Sequence, residues 1–271
     1  MQPHSSSPIR ALATFVRYRE LIAQLTMREV TGRYRGSFAG LAWSFLNPLA
    51  ALAMYTFVFG IVFKARWGAS TESTFEFSLI LFAGLLMHGL LSECITRAPY
   101  LIIGNSSYVK QVVFPLEILS VVSLLSAVFH TLVGLGILLA AWAIIHGLSW
   151  TVVAIPFLLL PLCIGALGLS WMLAAVTVYL RDLAQIVSFV SVGLLFFSPV
   201  FYPASAVPDA VRPILMLNPL TFVIEAVRGA LFQGTLPDGA SFAIYCTVAM
   251  LMAFCGYAIF QRARSGFADV V

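Results

Sequence analysis

Two pairs of opposite charge stand three residues apart late in the chain, Asp209 with Arg212 and Glu225 with Arg228. Residues at that spacing share a helix face, so each pair can close an ion pair. Both lie between Pro199 and Pro237, a stretch too interrupted to cross a bilayer and too apolar to be a free loop. Asn218 followed by Pro219 marks a helix start there, because Asn accepts from a free backbone amide and Pro fits the first turn without a donor. A short helix, TFVIEAVRGALF, is expected next. Asn218, Pro219, Glu225 and Arg228 are thus candidate gating residues on two short helices that dip into the outer leaflet and return. Irregular backbone is tolerated at membrane depth where protein or a water-filled cavity satisfies it, so this segment is expected to border a pathway.

The other ionisable residues inside apolar blocks are His88, Glu93 and His130. A charge at a span centre costs about 2.5–3.5 kcal/mol on insertion scales, so each invites a functional reading. They form no chain of carboxylates of the kind a proton relay needs. His130 is expected to be neutral and hydrogen-bonded between helices, and Glu93 to lie near the cytoplasmic end. There is no Gly-x-x-x-x-Gly-Lys-Ser/Thr phosphate loop, and Lys64 and Lys110 stand in other contexts, so ATP hydrolysis by that route is closed to this chain. No nucleophile elbow, His-Glu-x-x-His pair or clustered metal ligands occur either, and no catalytic or metal-binding residue is assigned. Cys94, Cys163, Cys246 and Cys255 lie in or beside apolar blocks without paired spacing and read as small packing residues.

The elements that hold these residues follow from composition. Of 271 residues, 61% are apolar and 10% charged, against about 45–50% and about 25% in an ordinary soluble domain. Segments such as Leu124 to Ile145 are apolar on every side, which excludes the alternating pattern of a barrel and leaves a helical bundle. The fold expected is an all-α membrane protein with six transmembrane helices, near 38–63, 75–96, 114–145, 151–178, 184–201 and 240–261. The first ten residues lack the order of a cleavable signal. With a cytoplasmic amino end, the inner segments hold Arg10, Arg17, Arg19, Arg28, Arg33, Arg35, Arg97, Lys110, Arg181, Arg262 and Arg264, against Lys64, Arg66, Arg212 and Arg228 outside. That asymmetry places both termini in the cytoplasm of a bacterial inner membrane. Trp67 and Trp150 then stand at outer span ends. The net charge of +4 flanks spans instead of forming a basic domain, so no nucleic-acid partner is expected.

Ahead of the first span, Arg10, Arg17, Glu20, Gln24, Arg28, Thr31 and Arg35 recur every three or four residues, with Leu12, Phe15, Val16, Ile22 and Leu25 on other faces. Residues 1–37 therefore read as a cytoplasmic amino terminus with an amphipathic helix at the inner interface, in contact with membrane lipid, and residues 38–271 as the transmembrane domain.

Several blocks carry a family resemblance: RYRGSFAGLAWSFLNPLAALAMYTFVFGIVF (Arg33 to Phe63), NSSYVKQVVFPLEIL (Asn105 to Leu119), YLRDL (Tyr179 to Leu183), SPVFYP (Ser198 to Pro203) and NPLTFVIEAVRGALF (Asn218 to Phe232). As an ordered set covering nearly the whole chain, they resemble the membrane subunits of ABC-2 type polysaccharide exporters, which move lipid-linked O-antigen, capsule or teichoic acid. The resemblance implies a homodimer of six-span subunits with two copies of a separate cytoplasmic ABC ATPase. ATP and magnesium would be held by that ATPase and no cofactor by this chain. It also implies that the amino-terminal helix, through Arg28, Arg33 and Arg35, and the loop from Arg97 to Phe114, through Tyr100, Asn105, Tyr108 and Lys110, receive the ATPase's motion. Arg181 and Asp182 in the second cytoplasmic loop are further contact candidates. The blocks look nearer to the O-antigen group, with capsule second.

A glycan needs a walled, wettable path, because each hydroxyl buried without a partner costs about 2–7 kcal/mol. Aromatic rings offer flat faces to sugars, and Tyr adds a polar edge. Tyr55 and Phe59 share a face of the first span, and Phe196, Phe197, Phe201 and Tyr202 cluster near the broken segment; these are candidate lining residues. Aromatics at helical spacing also pack bundles or meet lipid, and that reading stands beside this one. Other functions with the same composition are an ABC-2 drug or small-molecule exporter permease, marked by a closed lipid-facing pocket, and an ion-coupled secondary transporter, which needs buried ion ligands or inverted repeats. A structural membrane-assembly subunit is a third.

Overall fold

A computed structural model describes residues 8–63, 74–110 and 114–270, and among them the regular structure is helical throughout. The expected interfacial helix is two helices, α1 (Pro8–Arg17) and α2 (Arg19–Gly32), separated at Tyr18, whose ψ of 20° leaves the helical region. α3 (Trp43–Tyr55) is extended by a tight turn over Gly40–Ala42 and a wider one over Thr56–Val62. Then come α4 (Thr74–Arg97), two short helices in the following loop, α5 (Tyr100–Ile103) and α6 (Ser106–Val109), and α7 (Ile118–His146). α7 starts four residues later than expected because Pro115 lacks an N–H and pushes Phe114 out of the helical region. It ends at Gly147, whose φ of 78° suits glycine.

α8 (Ile155–Tyr179) follows, then α9 (Leu183–Phe196), the helix pair α10 (Arg212–Leu217) and α11 (Pro219–Arg228), α12 (Gly239–Ala263) and α13 (Phe267–Val270). Five helical stretches among the described residues are long and apolar enough to cross a membrane: Gly40–Val62, Phe75–Arg97, Ile118–His146, Trp150–Tyr179 and Gly239–Gly266. The sixth apolar segment, α9, has 14 helical residues where a span to 201 was expected. It stops because Pro199 disfavours helix at Ser198, and residues 197–203 turn there.

α4 is the central helix. Its Leu79, Phe82, Met87 and Leu90 join Leu124 and Leu138 of α7, Leu158 and Leu162 of α8, and Leu220 and Ile224 of α11 in the main core. α8 and α12 cross closely through small residues, with Gly168 against Met252 and Ala253, and Gly256 against the Gly168 carbonyl. About one turn further along α8, Phe15 stacks on Trp171 at 6.0 Å between ring centroids, and Ile22 packs on Ile118 and Val122, so the amino-terminal helices are seated on the bundle. Lys64, Arg66 and Trp67 lie outside the described residues, as does the side chain of Arg10. Trp150 is exposed at its span end.

Candidate functional site

The pair of helices α10 and α11 is built around two residues. Asn218 caps α11 by accepting from the Leu220 N–H at 2.9 Å, while its amide donates to the Phe197 carbonyl at 3.0 Å and the Ser198 hydroxyl at 2.9 Å. One side chain thus starts the helix and ties it to the turn after α9. Pro219 fills the first helical position, as the sequence requires.

Arg228, 3% exposed, points into the protein. Its Nε donates to the Ile80 carbonyl of α4 at 3.0 Å, Nη1 to the Pro199 carbonyl at 2.5 Å and Nη2 to the Val200 carbonyl at 2.8 Å, with Glu225 at 3.4 Å. A guanidinium is suited to this because its donors fan out in a fixed plane. Arg228 therefore acts as a strut joining α11, the turn after α9 and α4. Glu225 keeps its exposure and lines a cleft of about 420 Å³ whose wall is mostly apolar, with Met216, Phe222 and Ile244 beside the polar Gln233 and Thr235. Asp209 and Arg212 pair at 2.9 Å.

The structure brings several of the aromatic candidates together. The Phe201 ring lies 5.7 Å from Phe59 and 5.9 Å from Phe196, and Phe59 continues the file to Phe63 and Phe77. The Tyr202 hydroxyl donates to the Phe196 carbonyl at 2.9 Å, which fixes the turn. Phe197 is exposed, whereas Tyr55 packs against the main core.

The coupling candidates divide into docked and free groups. Arg28 donates to the Tyr108 hydroxyl at 3.3 Å, Tyr108 stacks on Phe114 at 4.4 Å, and Asn105 donates to the Leu101 carbonyl. Together they frame a cleft of about 160 Å³ between α2 and the 100–109 helices. Arg35, Tyr100, Lys110, Arg181 and Asp182 are exposed. Arg33 instead pairs with Glu93 of α4. Glu93 also takes Arg97 at 3.3 Å, and Arg97 reaches Glu29 of α2 at 2.5 Å. This four-charge chain was not read from the sequence; its signal is two acid–base pairs at spacing four, Glu29 with Arg33 and Glu93 with Arg97. A second joint pairs Arg264 with buried Glu117 at 2.7 Å and with the Phe114 carbonyl.

His130 does not make the interhelical hydrogen bond expected of it. Its Nε2 is without a partner among the described residues, because the ring meets the Tyr34 ring edge-on. His88 supplies that kind of link instead, through the Ser191 carbonyl at 3.0 Å, beside a Ser92–Ser191 hydroxyl contact at 2.6 Å.

A family model described as ABC-2 type transporter matches residues 20–232. The chain is 28% identical to an O-antigen export system permease protein RfbA of Myxococcus xanthus, over 97% of this chain and 100% of that one. It is 24% identical to an RfbA of Klebsiella pneumoniae, over 93% and 95% of the two chains. It is 22% identical to the polysialic acid transport protein KpsM of Escherichia coli, over 89% and 92%.

Proposed function

The chain belongs to the ABC-2 type transporter family, and from that membership we propose that it is the membrane permease of an ATP-driven polysaccharide exporter. Its cargo is lipid-linked polysaccharide, O-antigen first and capsular polysaccharide second. Two copies form the channel in the bacterial inner membrane, each with six spans and both termini in the cytoplasm. Two copies of a separate ABC ATPase supply the energy, and that partner holds ATP and magnesium.

The observation that carries this reading is full-length similarity to a named O-antigen export permease, 28% over 97% of the chain, in a bundle whose α10–α11 pair borders a largely apolar cleft into which Glu225 projects. α9 and the turn after it make the sixth crossing, and α10 and α11 re-enter the outer leaflet. The file through Phe59, Phe201 and Phe196 is the proposed sugar-facing wall, with Tyr55, Phe197 and Tyr202 beside it. Glu225 faces the hydrated side, while Asn218, Pro219 and Arg228 set the helix pair's position. On the cytoplasmic side, α2 and the 98–110 loop receive the ATPase, with Arg181 and Asp182 beside them.

Deleting the gene tests the proposal. Cells without the chain are expected to lose surface polysaccharide and accumulate lipid-linked glycan inside, and a plasmid copy is expected to reverse both. Surface polysaccharide that is unchanged on deletion contradicts it.

A further inference from the structure

The second span is fastened at two levels. At its cytoplasmic end, Glu93 accepts from Arg33 and Arg97, and Arg97 reaches Glu29, so four alternating charges tie α4 to α2. These side chains are 20–35% exposed, shielded enough that the network exceeds a lone surface pair in worth. Roughly 20 Å along the helix, at about 1.5 Å per residue, the Ile80 carbonyl accepts from Arg228. Gly84 leaves room there for the guanidinium. That upper joint ties α4 to α11 and to the Pro199–Val200 turn.

Between the joints α4 has the build of a rod. It holds no proline, whereas α3 contains Pro48 and α8 contains Pro161. Its apolar window is 56% buried within the chain, against 11–44% for the other four. A close-packed helix transmits displacement with little compression. The 98–110 loop continues from Arg97, the last residue of the helix.

We infer that α4 is the rod through which motion of α2 and the 98–110 loop reaches the outer helix pair, with Glu93 as the positioning residue of its lower joint. This rests on the exporter reading above. Movement delivered to α2 is passed to Glu93 through Arg33, the residue that follows the helix, runs along α4, and arrives at the Arg228 strut that holds α11. The outer pair then shifts with the cytoplasmic helix without any side chain having to span the distance.

The test uses the subunit reconstituted with its ATPase and measures glycan exported per ATP hydrolysed. Glu93→Gln removes the central charge while keeping its shape, and is expected to lower that ratio about fivefold or more. The combined inversion Glu29→Arg, Arg33→Glu, Glu93→Arg and Arg97→Glu rebuilds each pair with opposite sign and is expected to restore it, which a merely shape-filling role does not predict. Arg228→Lys, acting at the upper joint, is expected to lower the same ratio, and it decides the matter if the inverted chain does not assemble. A Glu93→Gln ratio equal to wild type overturns the inference, as does an assembled inverted complex that stays uncoupled or an unaffected Arg228→Lys complex. A working wild type beside an unaffected Glu93→Gln fails the rod alone; a wild-type complex that moves no glycan fails the exporter reading and the rod with it.

Discussion

Arg228 fills the space that a side chain on Gly84 would occupy: a Cβ there would stand 2.7 Å from Nη2 of Arg228 and 3.3 Å from the Val200 Cα. Each residue therefore requires the other to be what it is. Arg228→Met withdraws the donor from the Pro199 and Val200 carbonyls, and an orphaned buried acceptor costs about 1–3 kcal/mol. The variant is expected to unfold at a clearly lower temperature in detergent, and Gly84→Val to do the same by displacing the guanidinium. Equal melting temperatures would contradict the strut.

The crossing of α8 and α12 predicts a second loss. A Cβ on Gly256 would lie 1.9 Å from the Gly168 carbonyl oxygen, which is backbone and cannot swing aside. Gly256→Leu must part the two helices, and overpacking of this kind costs about 1–3 kcal/mol. Thermal unfolding of the purified chain measures it; a variant as stable as wild type would mean that the helices cross farther apart.

Local signals were legible in the sequence and distant partnerships were not. The Asn218 cap, the Glu225–Arg228 pair and the Asp209–Arg212 pair depend on neighbours within a turn, so spacing alone foretold them. Of the six spans expected from the apolar blocks, five are helices long and apolar enough to cross a membrane among the described residues, because burial in lipid demands length and hydropathy together. The Glu93–Arg97 pair lies within a turn, but the link from Glu93 to Arg33 was hidden, because Arg33 is 60 residues away and is brought near by the seating of α2. The three carbonyls on Arg228 were equally hidden: they belong to backbone whose position only the packed bundle defines. His130 misled in the opposite direction, since its type promised a hydrogen bond and its neighbours are rings.

Phe201 and Tyr202 separate a sugar-facing wall from plain packing. Phe201 sits between Phe59 and Phe196, and Tyr202 holds the turn through the Phe196 carbonyl. Replacing both with alanine is expected to reduce glycan export severalfold while expression and ATPase binding persist, since loss of stacking costs about 1 kcal/mol per aromatic contact. Export equal to wild type would remove them from the wall.

The docking of α2 should depend on pH through Glu29, which lies outside the spans. Burial pushes its carboxyl above the usual carboxylate range, Arg97 and Arg33 oppose the rise, and Glu93 adds to it. The folded chain therefore holds this proton more tightly than an unfolded one. Its contribution to stability is full below the ordinary value of 4.5 and is lost as pH rises through the raised one. Hydrogen exchange in α2, corrected for intrinsic rates, is expected to slow as pH falls through that raised value towards 4.5. Glu29→Gln should flatten that trend; a variant with the wild-type trend would assign it to another group.

The central claim is that this chain works with a separate ATPase on a lipid-linked glycan. The most direct measurement is to co-purify it with candidate ABC ATPases from the same genome, reconstitute the pair in lipid, and follow ATP hydrolysis as lipid-linked glycans are added. The account predicts a stable complex whose hydrolysis rate responds to the glycan. If no ATPase associates, or if the rate ignores every lipid-linked glycan supplied, the account is contradicted.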